Sequence, residues 1–428
     1  MIQSVTRRAL LQGGAASLSL LALGGGRALA QDSRLRFLWW GSQERADRTQ
    51  VAIGAYKSVA PGTQIVGEFA GWSDYWPRLA TQVAGRNAPD LIQMDYRYIF
   101  EYARRGALMP LDEAVGGALA INDFGQANID SGRVDGKLYG VNLGVNSSSI
   151  CFNAKMWEDA KAEPPAPGQT WDQITESAKR FAANRARPGV FALADGGGTE
   201  PALELWLRQR GKALYTNDAK LGYDAADAAA WFQLWADLRE AKACVPADVQ
   251  ALDQLNIESN ALTTGKAATA FMHSNQFVGY QKLNKAKLTL GPYPRLSAEA
   301  PSGHYLKPSM LISLSANAPK DPALAFANFL VANPEGVKAL GVERGVPASE
   351  SMRAVLTPSL SETDRAMVDY IALITPEAGP LPPSPPPGAG ELAFVLKRLN
   401  EEVGFERTAP EAAGEALVNE ANAILQRG

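Results

Sequence analysis

Leu35-Arg36-Phe37-Leu38-Trp39-Trp40-Gly41 is a strand-like run that closes on two adjacent tryptophans and a glycine. An ordinary buried strand ends in a polar turn, so two of the largest side chains at this one need a reason. Working outward, residues 47–59 read as a helix with Val51, Ile53 and Tyr56 apolar, and 64–69 as the next strand. Ser73 has the character of an N-cap for a helix over 75–84, in which Trp76, Leu79 and Val83 share a face at helical spacing. Residues 90–94 form a third strand, and 97–105 a helix stopped by Gly106. This strand–helix rhythm predicts a doubly wound, largely parallel sheet. Ligands of such sheets gather beyond the carboxyl ends of the strands. Those three ends carry Trp39-Trp40-Gly41, Gly71-Trp72 and Asp95-Tyr96. Three aromatic groups at corresponding places favour a cleft wall over a purely structural role.

The chain has 428 residues, which points to two domains or lobes rather than one core. Thr6-Arg7-Arg8-Ala9-Leu10-Leu11 is a twin-arginine pair leading into an apolar run over 9–23, followed by the small-residue exit Ala28-Leu29-Ala30. Residues 1–30 are expected to be an export signal, of the twin-arginine type, cleaved after Ala30. The run is too short and glycine-rich to span about 30 Å of hydrocarbon. Losing Arg7, Arg8 and Arg27, with no acids, takes the net charge from −3 to −6. That balance argues against nucleic acid or an anionic membrane as a partner. An oxidising compartment permits a disulfide, and Cys151 and Cys244 are the two cysteines; two buried thiols are the alternative.

A second α/β unit begins near Tyr139. Residues 139–146 are extended and broken by glycine, and lead into a strand over 149–152. Thr170-Trp171-Asp172 opens a helix through Phe181, and 201–210 and 225–242 read as amphipathic helices. Trp231, Trp235 and Leu238 make a core stripe, while Trp206, near the glycine-rich loop 195–198, is balanced between core and cleft. Later come a strand over 308–313, a helix over 322–331, an extended crossing at Gly345-Val346-Pro347, and a stiff proline-rich loop over 380–390.

The chemistry of catalysis is sparse. His273 and His304 are the only histidines. There is no HExxH helix, paired CxxC or GxSxG elbow. Thr264-Gly265-Lys266-Ala267 ends like a P-loop, but Asn260 stands at the leading glycine and Ala267 at the magnesium-binding hydroxyl. Gly196-Gly197-Gly198 lacks GxGxxG spacing. A glycosidase carboxylate pair is defined by distance, not by motif, and stays open. No cofactor or metal is expected.

The chain resembles the extracellular solute-binding proteins of carbohydrate ABC importers, closest to the branch that binds oligosaccharides and pectin fragments. The resemblance covers nearly all of residues 35–426. Its markers run in order: Trp39-Trp40-Gly41; Gly71-Trp72-Ser73-Asp74-Tyr75; Ala88-Pro89-Asp90-Leu91-Ile92-Gln93-Met94-Asp95; Gly106-Ala107-Leu108 before Pro110-Leu111; Tyr139-Gly140-Val141 leading to Phe152-Asn153; Thr170-Trp171-Asp172; Gly265-Lys266-Ala267-Ala268; Ser274-Asn275-Gln276; Lys307-Pro308-Ser309-Met310; and Arg344-Gly345-Val346-Pro347. None is specific alone; their order carries the resemblance. Val141-Asn142 departs from the more usual Val-Pro, and His273 stands where an aromatic is common.

The resemblance implies an α/β, two-lobed type II periplasmic-binding-protein fold with a ligand cleft between the lobes. Crossings near Leu143, Ser309 and Val346 assign 31–143 plus 309–345 to an N-terminal lobe and 144–308 plus 346–428 to a C-terminal lobe. Gly144 and Gly345, on crossing strands, are placed to absorb a hinge rotation. The implied protein is a periplasmic monomer, not an enzyme, that hands a sugar or oligosaccharide to the permease subunits of an ABC importer. The alternatives are a periplasmic glycan-degrading enzyme and the ligand-binding component of a sensor system.

The residue types fit that expectation. Flat aromatics cover the C–H face of a sugar, and amides and charges satisfy its hydroxyls. Each hydroxyl buried without a partner costs about 1–3 kcal/mol, so polar groups must be numerous. Trp40, Trp72, Tyr96 and Trp206 are the stacking candidates; Ser42, Gln43, Asp95, Asn146, Ser274 and Asn275 are the hydroxyl-contact candidates. Arg45, Lys307 and Arg344 are cations near the expected cleft edges. Any of them facing inward favours an acidic, uronate-containing sugar; otherwise they form surface or interlobe ion pairs.

Overall fold

The computed structural model describes residues 33–427. The expected export signal, its Ala30 cleavage site and the twin-arginine pair lie outside the described residues.

The opening run becomes β1 (Ser33–Trp40), followed by α1 (Gln43–Val59), β2 (Thr63–Ala70), α2 (Trp72–Ala84), β3 (Leu91–Met94) and α3 (Tyr96–Arg104). β4 (Val141–Asn146) and β5 (Ser148–Phe152) follow each other with only Ser147 between them. Then come α4 (Trp171–Asn184), α5 (Glu200–Gln209), α6 (Ala225–Glu240), β6 (Thr269–His273) and β7 (Thr289–Gly291). The chain returns through β8 (Lys307–Leu314) and α7 (Lys320–Ala332), and finishes with α8 (Glu362–Ile374), α9 (Ala389–Gly404) and α10 (Pro410–Leu425).

The helices start where side chains satisfy their first N–H groups. Ser42 caps α1 by accepting from Arg45 N, so that helix opens four residues earlier than expected. Asp95 caps α3 by accepting from Arg97 N. Thr170 and Asp224 form reciprocal capping boxes at α4 and α6. Ser73 is not a cap: α2 begins after Gly71, whose carbonyl takes the N–H groups of Asp74 and Tyr75. The Ser73 hydroxyl instead donates to the Gln254 carbonyl.

Two sheets organise these elements. The first has the order β2-β1-β3-β8-β4. β1 is parallel to β2 and β3, but β8 runs antiparallel to β3 and β4, so this sheet is mixed and not largely parallel. The second is antiparallel, in the order β6-β5-β7. The largest apolar core lines the first sheet, from Leu35 through Leu143 and again from Leu311 through Ala348. A second core runs from Ile150 to Ile424 and contains Trp157, Trp171, Trp206, Trp231 and Trp235. The chain passes from one sheet to the other across Ser147, and Val145 makes an isolated antiparallel bridge to Val346. The fold is therefore α/β and two-lobed. Cys151 and Cys244 are both free and buried, in different clusters. Among the described residues no helix is long and apolar enough to cross a membrane.

Candidate functional site

Alternation along β1 separates the two tryptophans that raised the first question. Trp39 is sealed in the core, its ring 5.0 Å from Phe37 and 6.2 Å from Phe69. Trp40 goes to the opposite face, where its ring meets Trp72, Tyr75 and Trp76 at 5.3, 5.1 and 5.4 Å. Gly41 then turns the chain at φ +150°, and a Cβ there would stand 2.4 Å from Arg45 Cδ. The glycine lets the Arg45 side chain pass beneath the strand end. Arg45 Nε donates to both carboxylate oxygens of Glu343, at 2.9 and 2.8 Å, and Nη1 to the Trp40 carbonyl.

These strand ends open on a cavity of about 210 Å³. Trp40, Ser42, Arg45, Trp72 and Asp95 line it from the β1, β2 and β3 ends, and Asn146, Lys307 and Ser309 from the starts or ends of β4 and β8. The opposite wall comes from the second sheet and its loops: Glu200, Asp253, Asn256, Asn260, Phe271, His273, Asn275, Tyr280 and Tyr293. Asn146 Nδ2 donates to Asn275 Oδ1 at 2.7 Å and to Ser309 Oγ at 3.0 Å, and Asn275 Nδ2 donates to the Glu343 carbonyl at 3.2 Å. This amide ladder fixes the floor. Three lining polar atoms keep no partner: Asn146 Oδ1, Glu200 Oε2 and His273 Nδ1. Buried polar atoms are rarely left so, and these three belong to residues that line the cavity.

Arg97 and Glu200 meet across this space at 2.8 Å, both nearly buried, with the guanidinium also 5.7 Å from the Trp72 ring. Burial pulls the Arg97 pKa down, but Glu200 and Asp95 more than restore it, so it stays protonated. At Glu200 burial wins: with help from Glu204 and Asp95 against Arg97 and Lys307, its carboxyl is pushed up to about 7. Burial likewise raises the Asp253 carboxyl, which accepts from Asn260 Nδ2 at 3.0 Å. Beyond the Arg97–Glu200 pair lies a smaller chamber of about 30 Å³, bounded by Tyr96, Tyr215, Tyr305 and the proline-rich loop at Pro382, Pro383 and Pro385.

Of the residues expected from sequence, Trp40, Ser42, Arg45, Trp72, Asp95, Asn146, Asn275 and Lys307 share the main cavity, and Tyr96 lies in the side chamber. The Tyr96 hydroxyl reaches toward the Pro382 carbonyl at 3.5 Å, and burial raises its pKa to about 12. Four others lie elsewhere. Gln43 is exposed at the rim, donating to Asp47 at 2.8 Å. Ser274 is fully buried, its hydroxyl accepting from Ser147 N. Trp206 belongs to the second core, 5.5 Å from Trp231 and covered by Arg210. Arg344 is enclosed behind the site, donating to Gln93 Oε1 at 3.0 Å and Thr49 Oγ1 at 2.8 Å; burial lowers its pKa to about 9. Arg97 and Glu200 were missed. Each had a faint signal: Arg97 follows the third strand end, and Glu200 comes just before Pro201, separated from Gly196-Gly197-Gly198 only by Thr199.

Comparison with known proteins adds a lineage. Among curated relatives, the chain spans about a third of the length of a binding protein from Brucella abortus, at 24% identity over 30% of this chain and 31% of that one. An extracellular solute-binding protein family 1 structure from Alicyclobacillus acidocaldarius is 28% identical, covering 92% of this chain and 98% of that one, with a TM-score of 0.65. A periplasmic oligogalacturonide-binding protein from Yersinia enterocolitica, in complex with saturated digalacturonic acid, is 23% identical over 92% of this chain and 99% of that one; its TM-score of 0.82 is a likeness of fold. The model of the bacterial extracellular solute-binding proteins matches residues 53–364. With a two-lobed fold and a polar, aromatic cavity between its sheets, the chain belongs to the bacterial extracellular solute-binding proteins.

Proposed function

We propose that the protein captures a sugar or oligosaccharide between its lobes, in the space outside the membrane, and delivers it to the permease subunits of an ABC importer. One observation carries this reading. The cavity is lined by aromatic residues (Trp40, Trp72, Phe271, Tyr293) together with amide and charged ones (Asn146, Asn256, Asn275, Arg97, Lys307). Aromatic faces suit the C–H side of a sugar ring, and amide and charged groups suit its hydroxyls. The oligogalacturonide-binding relative from Yersinia, a fold neighbour over nearly its whole length, supports a carbohydrate in particular. The expected lobe boundaries, 31–143 with 309–345 and 144–308 with 346–428, put Arg97 and Glu200 on opposite lobes, so closure brings them together. Contacts from both sides then favour the closed form, and ligand drives closure only by its extra affinity for that state. The lobe surfaces would meet the permease, with one copy of the chain sufficient.

A thermal-shift screen of protein starting at Gln31 against neutral and acidic mono- to tetrasaccharides tests this. A true ligand at 100 times its Kd adds about 2.7 kcal/mol of stability. The bound oligosaccharide should be recovered at its original length, since the protein binds and does not cleave. No shift with any carbohydrate, or shortening of the chain, overturns the proposal.

A further inference from the structure

Three cations stand in the cavity wall, and their circumstances differ. Arg45 is paired with Glu343 and Arg97 with Glu200. Lys307 is 8% exposed, yet among the described residues its ammonium has no carboxylate within 4.0 Å and no hydrogen-bond acceptor. It lines both the main cavity and the side chamber, so it stands where the two join. Arg97, Glu200, Asp95 and Pro201 line both spaces too. Its ammonium is not sealed off like the unpartnered Asn146, Glu200 and His273 atoms, so it is open to an approaching anion, which would supply the close partner it lacks.

Resting on the carbohydrate reading above, we propose that Lys307 anchors an anionic group of the ligand, the carboxylate of an acidic sugar, at the junction of the cavity and the side chamber. A sugar held there by its carboxylate lies against Trp72 on one side and directs its next unit past Arg97 toward Tyr96, Tyr215 and the proline-rich loop. The ligand is thus an acidic oligosaccharide of two or more units.

The ligand carboxylate would arrive beside Glu200, and two adjacent carboxylates do not both stay ionised. The groups that face Glu200 are Arg97, Asp95 and Tyr98 from the α3 region, Glu204 from α5, Lys307 from β8, and Tyr215 and Tyr223 from the loop before α6. With its carboxyl already near pH 7, Glu200 is the group that takes up the proton. Ligand binding raises the Glu200 pKa further. Affinity for the acidic sugar therefore rises as pH falls from the bound-state pKa toward about 7, then levels off.

The probes are trigalacturonate and its fully methyl-esterified form, which differ in charge and hardly in shape, together with a sulfated and a neutral trisaccharide. Calorimetry on the full exported protein should show tighter binding of trigalacturonate than of the ester. Lys307→Met should collapse that preference, with a loss of roughly 30-fold or more for the acid. In two buffers of different ionisation enthalpy the wild type should take up a proton with the acid, and Glu200→Gln should abolish both uptake and pH slope. Preference for the sulfated sugar would make the anion a sulfate and overturn the carboxylate assignment. Equal affinity for acid and ester, which needs no variant, overturns the anchor but leaves carbohydrate capture standing. Absence of proton uptake overturns the part given to Glu200. If no member of the wider carbohydrate screen binds, the functional proposal itself has failed.

Discussion

Trp40 and Trp72 touch each other edge-on in the same cavity wall, yet they do different jobs. Trp40 is buried against Tyr75 and Trp76 and carries Arg45 on its carbonyl, so its ring is both wall and core. Trp72 is only half-buried, and its contacts include the Arg97 guanidinium. Trp40→Ala should therefore cost about 3–5 kcal/mol in urea denaturation, as large aromatic truncations in cores do. Trp72→Ala should cost about 1 kcal/mol and mainly lose the ligand-induced thermal shift. A ligand-free Trp40→Ala protein as stable as wild type would show that the ring is only a ligand surface. Sequence order exposed the pair, because alternation along β1 and the strand-end position of Trp72 are properties of local pattern. It could not separate Trp206 or Arg344 from them. Both are bulky residues beside glycine-rich or extended segments, and only the neighbours Trp231, Gln93 and Thr49, distant in sequence, make them interior.

At the scale of elements, β4 and the segment around Val346 pass so close that neither tolerates a side chain. A Cβ on Gly144 would sit 2.7 Å from the Arg344 and Gly345 carbonyl oxygens, and one on Gly345 would sit 2.8 Å from Gly144 C at a backbone φ of +102°. The Val145–Val346 hydrogen bonds, 2.7 and 2.9 Å, depend on that approach. Gly345→Ala should cost about 1–3 kcal/mol from the left-handed backbone alone, and Gly144→Ala a comparable amount from contact. The denaturation midpoint measures both; an unchanged midpoint would mean that the two segments part easily. Both glycines were legible as breaks in extended runs; their close approach to each other was not. Strand direction was not legible: β8 pairs antiparallel with β3 across more than two hundred intervening residues, and nothing within 308–313 states its partner. Helix starts failed for a related reason. Ser73 has the side chain of a cap, but its hydroxyl serves the Gln254 carbonyl across the cleft.

For the molecule as a whole, the contacts that join the two sides of the cavity are of unequal kind. At the rim are the Lys282–Glu44 ion pair, Gln43 N on Glu258 at 3.3 Å and the Ser73–Gln254 hydrogen bond at 3.0 Å. Exposed pairs of this sort contribute about 0–1 kcal/mol each. Inside are the hydrogen bonds of Tyr96, Tyr98 and Asn275 to the carbonyls of Pro382, Gly390 and Glu343, and the Arg97–Glu200 pair, whose attraction is largely offset by the loss of hydration, as the upward shift of Glu200 to about 7 attests. For the capture proposed above, closure without ligand has to lie near balance, so that a few kcal/mol of differential binding moves the population decisively. Small-angle X-ray scattering should therefore give the ligand-free protein a larger radius of gyration than the protein at ligand saturation. Lys282→Ala should alter ligand Kd by less than about fivefold. Arg97→Ala should weaken binding at least tenfold, because it removes the cation over Trp72 and the partner that holds Glu200 in place. If Lys282→Ala proved the more damaging of the two, the rim and not the buried pair would hold the lobes together, and ligand-free scattering would already match the closed form.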